Sequence, residues 1–328
     1  MQKKPRKLHG GDIYRHPDVI DFSVNTNPLG TPESVKRAVQ ESVAKIEHYP
    51  DVRCEALREA ISRFEQVNME EILCGNGAAE LFFAAVQAVC PQKALVIAPS
   101  FSEYEEALRS VGAEVEYYYL CEEDNFQIRE DYVDKLSEEI DMIFLCNPNN
   151  PTSSALNTEE ISKILAHCKK HNIFVMIDET YVEFAPDIQK ISAVSLTTKF
   201  DNFMVLRGTS KFFCAPGLRL GYGICGNLSF LERMNSIKNP WTINTLAALA
   251  GEAMFMDKDY IKMTKDYIDS ERSRCMNILS KRPNLKVFKA YANFILVKLL
   301  DGTTSFEMFE RCIKEGLMIR DCASFHGL

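Results

Sequence analysis

No stretch of the 328-residue chain approaches the ~20 consecutive apolar residues of a membrane helix, and its longest apolar runs are strand-sized. A helical membrane span is excluded. Positive charge is also scarce: 38 Lys and Arg against 46 Asp and Glu leave a net charge of −8, with a pI near 5.4. Without a basic field to hold phosphates, nucleic acid is not expected as a main partner. The start, Met1 to Lys7, is basic but leads into His9, Gly10 and Gly11, so it lacks the apolar core of a secretory signal. A cytoplasmic protein is expected. Eleven cysteines are present, yet no two lie within four residues of each other, so the C-x-x-C spacing of zinc and redox sites is missing. Several, such as Cys90, Cys146 and Cys168, sit in apolar runs and read as buried reduced thiols acting as small hydrophobes. No metal is expected: His167 and His171 are spaced for one helical face, but Lys169 and Lys170 lie between them and no further ligand is near. Repeats, low-complexity tracts and Gly/Ser linkers are absent as well.

What is present describes a folded soluble chain, with 46% hydrophobic and 26% charged residues. At roughly 150 residues per domain, the length predicts about two domains. Leu95 to Ala98, Met142 to Cys146, Ile173 to Ile177 and Phe203 to Leu206 are short apolar runs without polar alternation, as in strands buried on both faces. Between them run helical patterns. Tyr104, Ala107, Leu108 and Val111 follow a Ser102/Glu105 capping box, and Ile161, Ile164, Leu165 and Cys168 follow Asn157 and Glu160. Thr31-Pro32-Glu33 predicts a cap and first-turn proline for another helix, and Leu57, Ala60, Ile61 and Phe64 mark one more. Strand and helix in alternation predict an α/β fold with a mostly parallel central sheet. From Asp257 the pattern changes to a long charged helix, strand-like material over Val287 to Leu300 and a helix over Phe306 to Glu315, which reads as a smaller α+β domain. The expected division is an N-terminal arm over 1–44 packing with the small domain, a large domain over 45–250 and a small domain over 251–328.

In open parallel sheets ligands bind beyond the carboxyl ends of the strands. Each predicted strand end here carries a polar residue: Asn147-Pro148-Asn149-Asn150-Pro151-Thr152 after the second, Asp178-Glu179-Thr180-Tyr181 after the third, and Arg207-Gly208-Thr209-Ser210-Lys211 after the fourth, with Arg219 further on. Upstream, Gly75-Asn76-Gly77 precedes the apolar helix Ala78 to Val89. Each feature alone is ordinary, since a strand-end aspartate is usually a turn former and a Gly-x-Gly turn a weak phosphate signal. Together they match pyridoxal 5′-phosphate chemistry. A lysine condenses with the cofactor aldehyde, and a carboxylate keeps the pyridine nitrogen protonated so that the ring can accept charge from Cα. Lys211 and Asp178 fit these roles, Asp178 being expected to stay ionised in an electropositive site. Tyr181 and Asn150 are placed to bond the ring 3′ oxygen. Arg219, Ser210 and the amides of Asn76, Gly77 and Ala78 suit the phosphate, and Phe101 suits the ring face.

These motifs, with Pro216-Gly217-Leu218-Arg219-Leu220-Gly221-Tyr222 after Ser210-Lys211, resemble the aspartate-aminotransferase fold type, the class I and II aminotransferases, over essentially the whole chain. The resemblance implies the cofactor attached to Lys211, its ring nitrogen on Asp178, its 3′ oxygen near Asn150 and Tyr181, and its phosphate near Asn76, Gly77, Ser210 and Arg219. It also implies a homodimer with shared sites, because Tyr49 in His48-Tyr49-Pro50-Asp51 matches a tyrosine that reaches the phosphate bound by the neighbouring subunit. One departure is Gly208, where relatives often carry Ser or Thr, so weaker cofactor binding is expected by about 1 kcal/mol.

Within the fold type the chain most resembles the branch of threonine-phosphate decarboxylase and histidinol-phosphate aminotransferase. His9-Gly10-Gly11-Asp12, Ile319-Arg320-Asp321-Cys322 and Phe325-His326-Gly327-Leu328 are similar to the first of these. That implies a phosphorylated amino acid substrate, with His9 and Arg320 among its contacts, and a decarboxylation in corrinoid side-chain synthesis ahead of transamination. A cofactor-binding sensor is the alternative of another class; the intact Lys211 and the lack of a basic DNA-binding segment argue against it. Family members usually continue past the matching Gly-Leu and supply a further arginine, so the small domain is expected to lack its last strand and helix.

Overall fold

The apolar segments become the middle of one sheet. The computed structural model describes residues 10–328. Its strands are β1 (Ile20–Asp21), β2 (Ile72–Gly75), β3 (Lys93–Ala98), β4 (Glu114–Tyr119), β5 (Met142–Cys146), β6 (Phe174–Asp178), β7 (Phe203–Gly208), β8 (Gly221–Ile224), β9 (Leu285–Val287), β10 (Val297–Leu299) and β11 (Leu317–Met318). Seven of them form a sheet in the order β2-β8-β7-β6-β5-β3-β4, with β8 antiparallel to both neighbours and the other pairings parallel. This is the α/β fold with a mostly parallel sheet.

Side chains leave a strand alternately to its two faces, and here both faces are covered. Leu95, Ile97, Ile143, Leu145, Val175, Ile177 and Val205 belong to one core; Ala94, Val96, Met142, Phe144, Met176, Met204 and Leu206 belong to the other. The first core is closed by α1 (Glu33–Ser42), α2 (Glu55–Glu65), α5 (Thr158–Lys170), α9 (Thr245–Met256) and α10 (Lys258–Leu279); the second by α3 (Gly77–Val89), α4 (Glu103–Ser110) and α8 (Leu228–Ile237). Shorter helices are α6 (Ile188–Ile191) and α7 (Thr209–Phe212), and α11 (Ser305–Lys314) lies near the end. Each fully buried aliphatic side chain contributes about 1.5–3 kcal/mol.

Local signals hold unevenly. Asn157 and Glu160 form a reciprocal capping box on α5. Ser102 and Glu105 do not: Ser102 makes no cap bond, and the Glu105 carboxylate pairs with Arg109. Pro32, not Thr31, is the residue before α1, and the Thr31 hydroxyl donates to the Cys214 carbonyl at 2.6 Å. Strand β8, Gly-Tyr-Gly-Ile, packs where side chains would collide: a Cβ on Gly221 would lie 2.5 Å from the Ala78 nitrogen, and one on Gly223 would lie 1.9 Å from Met204.

The first and last strands meet. β1 pairs in parallel with β11, placing Ile20 opposite Leu317. β9 and β10 form an antiparallel pair, and Arg272 on α10 donates to the carbonyls of Phe184 and Ala292 at 2.9 and 3.2 Å. The 3₁₀ turn after β6 is thereby tied to the C-terminal segment.

Beneath the sheet ends lies a buried charge cluster. Arg207 on β7 reaches Glu179 at 3.0 Å, Glu183 at 2.8 Å and Glu65 at 3.5 Å, and all four side chains are nearly inaccessible. Burial raises the Glu179 carboxyl to about 7, against the pull of Arg207 and of hydrogen bonds from Ala193 and Ser192. A raised folded-state value means that the native protein holds this proton where the unfolded chain has lost it. The associated stability is full below the ordinary glutamate range and is lost as pH rises through about 7. Urea midpoints measured from pH 5 to pH 8 are therefore expected to fall for the native sequence relative to Glu179→Gln, by a free energy on the order of 1–3 kcal/mol. Parallel pH profiles for the two proteins would contradict the assignment.

Candidate active site

The residues singled out at strand ends gather at the carboxyl edge of β5, β6 and β7, beside the amino end of α3. Lys211 lies in α7, the single turn that follows β7, and its Nζ donates to the Val24 carbonyl at 2.7 Å. Burial, then the positive charge of Arg219, lowers its pKa, while Asp21 and Asp178 oppose the fall. A larger share of neutral amine follows, as a nucleophilic lysine needs.

Asp178 closes β6. One carboxylate oxygen accepts the Tyr104 hydroxyl at 2.6 Å; the other accepts the Thr180 amide at 2.9 Å and the Thr180 hydroxyl. Despite these bonds and Lys211, burial raises its pKa. The expected electropositive surroundings are thus too weak by themselves, because desolvation of the carboxylate exceeds what its neighbours return. The site favours a cation against Asp178.

Tyr181 is buried, its hydroxyl next to the Asn25 side chain and its ring edge-on to Phe294 at 4.9 Å. In the Asn-Pro-Asn-Asn-Pro loop the asparagines divide their work. Asn147 donates to the Leu156 and Ile191 carbonyls at 3.1 and 2.8 Å, and Asn149 donates to Pro99 at 3.0 Å and Thr152 at 2.8 Å. These two hold the loop; Asn150, half-buried, is the one left to face a ligand. Phe101 is half-buried, edge-on to Tyr104 at 5.7 Å, which links it to Asp178.

The phosphate side rests on close backbone approach. Gly77 opens α3 with φ +73°, and a Cβ there would lie 2.5 Å from an Arg219 guanidinium nitrogen. Arg219 itself has φ 59° and donates to the Pro216 carbonyl at 3.2 Å. A guanidinium is therefore held over the free amides of a 13-residue helix, which makes an anion site. Asn76 is occupied within the fold, its amide on Glu80 at 2.7 Å and its side chain on the Thr242 carbonyl at 3.3 Å. Gly77 and Ala78 remain for the anion. Ser210 lies half-buried in α7, whereas its neighbour Thr209 donates to the Leu220 carbonyl at 3.0 Å. Gly208 has ordinary extended geometry, and a Cβ would meet Thr180 at an unstrained 3.4 Å. Gly208→Ser is thus expected to fold normally and, by adding a hydroxyl, to tighten cofactor retention by about fivefold on dilution. Unchanged retention would show that this hydroxyl faces away from the phosphate.

Two further predicted positions come from outside these strand ends. Tyr49 is 84% exposed and leans on Trp241 at 5.0 Å. Arg320 follows β11, donates to the Ser324 hydroxyl at 2.9 Å and covers the Phe325 ring. His9 is outside the described residues. Tyr104, Thr180, Asn25 and the Val24 carbonyl are site groups that the motif reading missed; Tyr104 carried only a helix-core signal, and a backbone carbonyl carries none. Among the described residues no group of three metal-ligating side chains occurs and no helix is long and apolar enough to cross a membrane.

Residues 17–327 match the family described as aminotransferase class I and II. The chain belongs to that family of pyridoxal-phosphate-dependent enzymes, and its homologues are decarboxylases and aminotransferases. It is 40% identical over 321 residues to a protein of Caldanaerobacter subterraneus subsp. tengcongensis provisionally named a threonine-phosphate decarboxylase, covering 98% of this chain and 86% of that one. To the threonine-phosphate decarboxylase of Salmonella typhimurium it is 34% identical over 328 residues, covering 98% and 89%. The crystal structure of the histidinol-phosphate aminotransferase from Clostridium acetobutylicum superposes with a TM-score of 0.87 at 31% identity, covering 93% and 90%. A half-buried lysine of lowered pKa, a buried carboxylate raised by desolvation, and a guanidinium over a helix amino end fit the family's cofactor.

Proposed function

We propose that the protein decarboxylates L-threonine O-3-phosphate with pyridoxal phosphate as cofactor, Lys211 carrying it. The observation that bears this reading is whole-length similarity to proteins named threonine-phosphate decarboxylase, the first at 40% identity, joined to an intact set of Lys211, Asp178, Tyr181 and Arg219 at one sheet edge.

When bound, the cofactor supplies an electron sink for the pair left at Cα after a bond there breaks. Arg219 and the Gly77 and Ala78 amides would hold its phosphate, with Ser210 beside them. Asp178, fixed by Tyr104 and Thr180, would hold its ring nitrogen, the adjacent positive charge offsetting the burial that raises the carboxyl. Tyr181 and Asn150 would flank the ring oxygen, and Phe101 the ring face. Lys211 Nζ, no longer tied to Val24, delivers the proton to Cα after carbon dioxide departs. Arg320 and His9 are the proposed substrate contacts. Tyr49 and Trp241, both exposed, are proposed to meet a second copy, Tyr49 reaching that copy's phosphate site.

Histidinol-phosphate aminotransferase is the second reading, favoured by the 0.87 superposition. In that case Lys211 removes the Cα proton instead. Purified protein supplied with each phosphorylated substrate separates the two: carbon dioxide from L-threonine phosphate supports the first, and keto product without carbon dioxide overturns it.

A further inference from the structure

The helix end that faces the cofactor phosphate carries a negative charge of its own. Glu80 stands in the first turn of α3, and its carboxylate bends back over the helix start. One oxygen accepts the Asn76 amide at 2.7 Å, and the other accepts the Thr242 hydroxyl. The Asn76 side chain in turn donates to the Thr242 carbonyl at 3.3 Å. A first-turn carboxylate ordinarily stabilises its helix. Here the same end has to receive a phosphate, so two anions compete for one positive pole. A buried cation answers the first of them. Lys238, the residue after α8, has a side chain only 5% exposed; its Nζ lies 4.0 Å from the Glu80 carboxylate and donates to the Cys74 carbonyl on β2. Burial lowers the Lys238 pKa, and Glu80 opposes the fall.

We propose that Glu80 and Lys238 form a counter-ion pair that sets how tightly the cradle of Gly77, Ala78 and Arg219 holds the cofactor phosphate, the carboxylate weakening that hold and the ammonium restoring it. The role rests on the phosphate lying in that cradle. Both side chains act through the turn before α3: Glu80 bonds the amide of Asn76, and Lys238 bonds the carbonyl two residues earlier. Charge can be removed here without disturbing the bonds. In Glu80→Gln the amide oxygen can still accept the Asn76 N–H, and the NH₂ group can donate to the Thr242 hydroxyl, which is able to accept. Taking away the carboxylate charge relieves a repulsion on the phosphate; taking away the ammonium leaves that repulsion unopposed. The two substitutions therefore act with opposite signs. Asn76 is exposed, so water screens part of each effect.

The test measures, at pH 7 and low salt, the Kd of the full chain for pyridoxal 5′-phosphate and for pyridoxal, which lacks only the phosphate. The ratio of the two reports the phosphate alone. Both ligands need the same folded site, so partial unfolding of a variant cancels in it. Glu80→Gln is expected to raise the preference for the phosphorylated ligand by about three- to tenfold, and Lys238→Met to lower it by a similar factor, the range for one unit charge in a largely hydrated site. The double variant should return to within about twofold of the native ratio, because the two losses offset each other. Lys238→Arg, which keeps the charge, should stay near the native ratio as well. Arg219→Gln separates this inference from the one beneath it, and is expected to lower the ratio by at least about tenfold. If Arg219→Gln lowers it while Glu80→Gln and Lys238→Met change nothing, or shift it in the same direction, the pair has no such role. If Arg219→Gln leaves the ratio unchanged, the phosphate lies elsewhere and both assignments fall. Binding of the two vitamers does not depend on which reaction the enzyme catalyses.

Discussion

Lys211→Ala is expected to lower turnover by at least 10²–10⁴-fold, the range for loss of a positioned acid–base group, and to abolish the lysine-linked absorbance band as well. Both effects follow from one amine in one place. Nζ lies at the carboxyl edge of the sheet with Asp178 and Arg219 as charged neighbours, and its lowered pKa keeps part of it neutral. The phosphate cradle of Gly77, Ala78 and Arg219 does not use this side chain, so the variant should still take up cofactor, but releasably. Borohydride treatment followed by gel filtration reads this directly: native protein retains the reduced cofactor and the variant loses it. Cofactor fixed by borohydride in the variant would place the attachment on another lysine. Folding should suffer little, since only the Val24 carbonyl loses its partner, a cost of about 1 kcal/mol.

The chemistry of this site was legible because cofactor residues stand at strand ends, where apolar runs stop abruptly at Asp178 and Arg207. Such boundaries are visible in one dimension. Contacts across the sheet are not. Tyr104 reads as one more apolar residue of α4, and only the packing of that helix over β5 and β6 turns its hydroxyl onto Asp178. Asn150 alone was singled out for the ring oxygen, and what the pattern could not show is that loop closure consumes Asn147 and Asn149. Strand β8 was hidden by its own glycines, which strand propensity disfavours and close packing against Ala78 and Met204 requires. Ser102 and Glu105 had the spacing of a cap, but Arg109 one turn further on offered Glu105 an ion pair instead.

Arg207 is where the largest loss of stability is expected. Three glutamates, Glu65, Glu179 and Glu183, face one guanidinium in a region that water scarcely reaches. Taking charges out of water costs several kcal/mol each, and a single cation returns enough only while it bonds all its partners. Arg207→Met keeps much of the volume and removes that cation, leaving the carboxylates with one another and with the Ala193 amide and the Ser192 and Tyr222 hydroxyls as donors. Breaking a buried ion pair from one side costs about 3–5 kcal/mol, a large part of a total stability near 5–15 kcal/mol. Low soluble yield and a strongly lowered urea midpoint are expected. Charge and packing are separated by adding Glu179→Gln and Glu183→Gln to the same variant. If uncompensated carboxylates cause the loss, the amides restore much of the midpoint; if the missing side-chain volume causes it, the triple variant is no better than Arg207→Met. The position of the cluster gives the measurement a second reading. Glu179 follows Asp178 in the chain and Glu183 follows Tyr181 by two residues, so Arg207 holds both ends of the turn that carries these two site residues. Partial recovery of stability should therefore be accompanied by weaker cofactor retention, since amides without Arg207 leave that turn less firmly placed.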